Sequence, residues 1–140
     1  MTTLLRRHAA ADAVVRRFKD RPLRAGTNDC VRMASFVLRK LGYGSKLPKS
    51  GEYRSMVGGL RRLNALGFDS VEAALDSMGL VRTTLARALP GDIIAVPGED
   101  ALPALWIALP NGRALGWHQD SDCCAIIQPT LTDAIVWSVI

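Results

Sequence analysis

Apolar positions near the start of the chain recur at helical spacing. Leu4, His8, Ala11, Val15 and Phe18 fall on one stripe, with Arg6, Ala13 and Arg17 opposite, so residues 3–19 read as an amphipathic helix. The segment "KDRPLRAGTND" breaks the pattern at Pro22 and Gly26. A second helix is expected from about Asp29 to Leu41, capped by Thr27 or Asn28 and stopped by Gly42; Cys30, Ala34, Val37 and Leu41 share one of its faces. The loop "GYGSKLPKSGEY" leads into a weaker helical segment near Tyr53 to Leu66, which the Gly58-Gly59 pair is expected to bend or interrupt. Asp69 or Ser70 then caps a short helix through "VEAALDSM", ended by Gly79.

After Pro90 the texture changes. "DIIAV", "ALWIAL", "RALGWH", "CCAII" and "AIVWSV" are short runs rich in β-branched and aromatic residues, separated by turn-forming residues. They predict five antiparallel strands, and Pro110, Asn111 and Gly112 carry the strongest hairpin signal. Helices first and a meander second predict an α+β fold in which N-terminal helices pack on a C-terminal sheet of about five strands. Residues 1–140 are expected to form a single domain, mainly helical over 1–80 and an antiparallel sheet over 91–140.

A chain of 140 residues with 49% hydrophobic and 22% charged residues can bury a core without staples, which excludes a disordered chain. No apolar run approaches the roughly 18 residues of a membrane span, and the opening "MTTLLRRHAA" is too short in apolar residues for a signal peptide. The net charge of +5 conceals an asymmetry. Residues 1–64 hold 15 Lys/Arg against 4 Asp/Glu, a net of +11, whereas residues 65–140 hold 3 against 9, a net of −6. Such a field suits docking onto a charged protein neighbour. Nucleic acid ranks behind it as a partner, because few aromatics interleave with the basic residues to form a stacking platform.

Cys30 stands alone, and Cys123 and Cys124 are adjacent. Neither a disulfide framework nor a C-x-x-C metal site fits this spacing, so no cofactor or metal is expected. Two readings of Cys30 stay open. A thiol in the first turn of a helix faces unpaired N–H groups and the positive end of the dipole, which favour a thiolate nucleophile; the same residue also continues the apolar stripe of its helix as a small core residue. A nucleophile needs a base and an orienting group. His8 lies on the apolar stripe of the first helix, whereas His118 ends a predicted strand from which its imidazole would reach a groove beside Cys30. Gln119, Asp120, Asp122 and Asp92 are candidate orienting groups, and Cys123 and Cys124 read as structural.

The stretch "KDRPLRAGTNDCVRMASFVL", followed by "LPGDIIAVP" and a strand, hairpin and strand series, resembles the NlpC-type cysteine peptidases of the papain-like superfamily. More narrowly it is similar to a branch encoded among phage tail genes, with an opening of the form RPF-WG-NDC and a closing AW-V strand. Here these appear as Arg21-Pro22-Leu23 with Gly26, Asn28, Asp29 and Cys30, and as Val136-Trp137-Ser138-Val139. The resemblance implies Cys30 as nucleophile and a catalytic histidine opening the second strand, in a pattern H-V-G-I-Y-L-G-N-G. The corresponding stretch is "ALWIALPNG", with Ala104 at the expected base position, and His118 falls near the place of the third, orienting residue. A methyl group cannot move a proton, so an inactive homologue is the leading expectation. The resemblance further implies a virion component made in the host cytoplasm, placed at a tail tip or baseplate and docked to other tail proteins. The alternative is an active peptidase or amidase on peptidoglycan, with Cys30 as nucleophile and His118 as base.

Overall fold

The computed structural model describes residues 2–97, 103–118, 122–129 and 133–140. Four helices come first: α1 (Thr3–Phe18), α2 (Cys30–Lys40), α3 (Met56–Ala65) and α4 (Val71–Ser77). Each begins on a side-chain cap. Thr2, Asp29, Ser55 and Ser70 accept from the backbone N–H three residues on, satisfying donors the helix itself leaves unpaired.

Three helical expectations need correction. The buried stripe of α1 is Arg7, Ala10, Ala11, Val14 and Phe18, leaving Leu4 exposed and His8 half-buried. On this face the Arg7 guanidinium, a polar group in phase with Ala10, Ala11, Val14 and Phe18, meets a buried carboxylate. The cap of α2 is Asp29 rather than Thr27 or Asn28, since its carboxylate reaches the Arg32 N–H at 2.8 Å. The Gly58-Gly59 pair runs through α3 without interrupting it. Gly59 lies against the Tyr53 ring, where an added Cβ would come within 3.1 Å of a ring carbon, so packing rather than flexibility explains that glycine.

The sheet has six strands: β1 (Val81–Thr83), β2 (Ile93–Val96), β3 (Ala104–Ala108), β4 (Ala114–Gly116), β5 (Ala125–Ile127) and β6 (Ile135–Ser138). Their order is β1-β6-β2-β3-β4-β5, with antiparallel pairing throughout. Helices first and strands second make the fold α+β, as the periodicities predict. The expected meander holds for β2 to β5. The last strand then returns to sit between β1 and β2, and β1, which the sequence reading omitted, closes that side. Three residues are too few to display alternation, and Val81 is exposed, so the pairing of β1 depends on β6 being present.

Pro110–Gly112 forms the turn between β3 and β4, with Asn111 and Gly112 both in the left-handed region. Both faces of the sheet are covered. Ile93, Ala95, Leu105, Ile107, Leu115 and Trp137 belong to the core that includes the helices, while Ile94, Val96, Trp106, Ala108, Ala114 and Val136 form a second cluster. This double burial explains why "DIIAV" reads as an unbroken apolar run.

A buried ion pair ties the two halves together. Arg7 Nη1 lies 2.6 Å from Asp92 Oδ1, with both side chains almost wholly buried. The guanidinium also donates to the carbonyls of Pro90 and Ile140 and to Ser138 Oγ. The Asp92 carboxylate in turn accepts from the Val139 and Leu89 N–H groups. The first helix, the Pro90-Gly91-Asp92 turn and the final residues thus meet at one charge pair.

Candidate functional site

The segment after α1 is held by backbone pairing to the strand edge beyond β4. Asp20 N–H donates to the Cys124 carbonyl, Cys124 N–H donates to the Arg21 carbonyl, and Trp117 Nε1 also donates to that Arg21 carbonyl. The chain then folds into a tight turn in which Arg24 and Asn28 exchange N–H···O bonds at 2.7 and 2.8 Å. Gly26 within it has φ +89°, and a Cβ there would collide with the Tyr53 carbonyl oxygen, so no other residue fits without moving the loop.

This turn delivers Asp29, which is fully buried. Its Oδ1 accepts from Arg32 N–H, while Oδ2 accepts from Gly26 N–H at 2.7 Å and from the Tyr53 hydroxyl at 2.6 Å. Burial, the hydrogen bond to Asp29 and that carboxylate's charge push the Tyr53 hydroxyl above its ordinary range, so it keeps the proton it donates to Asp29.

Cys30 opens α2 beside this carboxylate. The residue is half-buried and its sulfur is packed among neighbouring atoms, with the Leu105 N–H of β3 within hydrogen-bonding reach. Burial raises the thiol from the ordinary 9.0 to about 11, and the charge of Asp29 adds to the rise. The Leu105 N–H and the first-turn N–H groups of Cys30 and Val31 pull the other way and are outweighed. The thiolate that a helix start favours in isolation is therefore not the resting form.

A test follows directly. Alkylation of Cys30 by iodoacetamide is expected to be about a hundredfold slower at neutral pH than for a peptide cysteine, following the two-unit rise, and to climb until about pH 11. Peptide mapping separates it from Cys123. Fast labelling with a plateau below pH 8 would show an activated thiolate instead. The linkage has a definite sign: between about 9 and 11 the unfolded thiol loses a proton that the folded one keeps. This contribution to stability is full below pH 9 and is lost as pH rises through 11.

The other candidates fall around this centre. Leu105, whose N–H faces the thiol, points its side chain into the helix-side core. Ala104, one residue earlier, packs with the cluster on the opposite face. His118 is half-buried and lies beyond β4, which ends at Gly116 rather than at the histidine. The residue of that segment that reaches the helices is Trp117, whose ring meets Phe18 edge-on at 6.2 Å. Asp92 is engaged by Arg7 and is unavailable as an orienting group. Asp122 is exposed, and Gln119 and Asp120 lie outside the described residues. Cys124 is buried, and burial first and Asp20 second push its thiol up to about 12. Among the described residues, no group of three or more His, Cys, Asp or Glu is placed to hold a metal.

Two polar centres escaped the sequence reading: the Arg7–Asp92 pair and the Asp29–Tyr53 contact. For the first, a signal was present in the apolar repeat, where Arg7 occupies a position in phase with Ala10, Ala11, Val14 and Phe18. For the second there was none, because Tyr53 lies in an irregular segment 24 residues away.

A family model for a domain of unknown function, DUF6950, matches residues 4–139. The chain belongs to that family. No curated protein and no solved structure matches it. The DUF6950 match spans α1 through β6, and so includes Arg7, the Asp29–Cys30 turn and Asp92 within one family unit. No helix among the described residues is long and apolar enough to cross a membrane.

Proposed function

We propose that this chain is a non-hydrolytic docking component of a bacteriophage tail tip or baseplate, built on a degenerate NlpC-type cysteine peptidase fold. One observation carries the loss of turnover. The Cys30 thiol stands at the start of a helix against a strand, where burial first, and the Asp29 charge with it, push it up to about 11 against the pull of the Leu105 N–H, which disfavours the thiolate a nucleophile needs. The carboxylate beside it is fully occupied by structural hydrogen bonds. The placement in a tail rests on the resemblance of the Arg21-to-Cys30 opening and the closing Trp137 strand to the phage-tail branch. The surplus of basic residues in the first 64 positions and of acidic ones after them suits docking within an assembly.

The decisive experiment incubates purified chain with peptidoglycan sacculi and resolves released muropeptides chromatographically. No release is expected from the wild type or from Cys30→Ala. Release by the wild type that Cys30→Ala abolishes would overturn the proposal and leave the Cys30–His118 dyad as the working mechanism.

A further inference from the structure

On the side of α2 turned away from Cys30, the end of α1 and the length of α2 enclose a groove of about 320 Å³. Arg17, Arg32, Arg39 and Lys40 surround it, Phe18 and Phe36 line its apolar part, and no carboxylate is part of its wall. Among the described residues, none of the four cations is paired with an acidic side chain. Arg17 donates to the Asn28 side-chain oxygen and Arg32 to the Pro48 carbonyl, both neutral acceptors.

Helix stabilisation accounts for part of this arrangement, since Arg17, Arg39 and Lys40 lie in last turns, where cations complement the dipole. It does not account for Arg32, which sits in the first turn, where a cation opposes the dipole. Burial lowers the Arg32 pKa and Arg39 lowers it further, against the opposing effect of Tyr53, Asp29 and Glu52, so the groove keeps a partly desolvated cation beside a like charge.

We propose that this groove docks an extended acidic segment of a protein partner, its carboxylates seated on Arg17, Arg32, Arg39 and Lys40. From Arg32 to Lys40 the wall runs about 12 Å, the reach of roughly four extended residues. Arginine's planar fork matches carboxylates in pairs. A nucleic acid fits less well because the stacking faces are already taken: the Arg17 guanidinium lies 4.5 Å over the Phe18 ring and the Lys40 ammonium 5.6 Å over Phe36. The inference takes up the docking reading above and assigns it a surface, independently of the thiol.

The test uses fluorescence anisotropy with the full chain and labelled hexaglutamate at low ionic strength. Binding is expected, and R39E/K40E is expected to weaken it at least about tenfold, as is Arg17→Glu on the opposite wall. R54E/R61E makes the same charge change at exposed sites outside the groove and is expected to weaken binding less than about threefold. Melting followed by circular dichroism verifies that each variant is folded. The proposal is overturned by absence of binding at low salt, by equal losses in the groove and control variants, or by tighter binding of hexathymidylate than of hexaglutamate. Any of these leaves the muropeptide result untouched, and muropeptide release leaves the groove untouched, so the two proposals fail separately.

Discussion

Replacing Arg7 with methionine is expected to destabilise the fold by about 3–5 kcal/mol, the range for removing one partner of a buried ion pair. The magnitude follows from what remains. Asp92 keeps the Leu89 and Val139 N–H groups but loses the cation that offset its removal from water. The Pro90 carbonyl loses its side-chain donor in the same step, while the Ile140 oxygen keeps the Ser138 hydroxyl. Urea unfolding followed by circular dichroism measures the loss, and a fall in melting temperature of roughly 10–20 °C should accompany it. The pair R7M/D92N removes both charges while keeping an acceptor for one of the two N–H groups. It is therefore expected to be more stable than Arg7→Met alone. A loss below about 1 kcal/mol for Arg7→Met would show that this contact does not anchor the fold.

Asp29→Ala is the second large effect, about 3–7 kcal/mol, because one carboxylate serves three donors. Removing the α2 cap at Arg32 N–H accounts for about 1 kcal/mol. The buried Gly26 N–H and the Tyr53 hydroxyl are then each left without an acceptor, at about 1–3 kcal/mol apiece. Tyr53→Phe removes only one of these donors together with its need for a partner, and should cost about 1 kcal/mol. Asp29→Asn provides a readout that stability alone does not. It removes the charge that adds to the rise of the Cys30 thiol, so the alkylation profile of Cys30 should move to lower pH while remaining above that of a peptide cysteine, since burial is the larger cause. An unmoved profile would mean that the carboxylate does not act on the thiol.

The physical roles of these aspartates differ from what their sequence context suggests. Asp92, in Pro90-Gly91-Asp92, has the composition of an orienting group near a catalytic base, yet it is a folding anchor for the first helix and the last strand. Asp29 has the appearance of a residue beside a nucleophile, yet its oxygens cap α2 and fasten Tyr53. Both functions depend on partners distant in sequence, 85 residues away for Asp92 and 24 for Tyr53. The same holds for Cys30. Its helical position argues for a thiolate, and the position is correct, but β3 covers the sulfur and the resulting desolvation exceeds what the helix start contributes.

Local signals in the amino-acid sequence determined a good deal. Periodicity placed all four helices to within a few residues, the hairpin turn at Pro110–Gly112 was legible from its residue types, and five of the six strands stood out as apolar runs between turn formers. These features depend on neighbours within a few positions, which is the range over which side-chain pattern and backbone preference act. Tertiary structure alone supplied the carboxylate, 85 residues away, that lets Arg7 join the buried face of α1. It paired β1 with β6, placed Ala104 and Leu105 on opposite faces of one strand, and brought Arg17, Arg32, Arg39 and Lys40 around one groove. Each of these outcomes is a balance of desolvation against a partner distant in the chain, and that partner's position exists only once the sheet has formed.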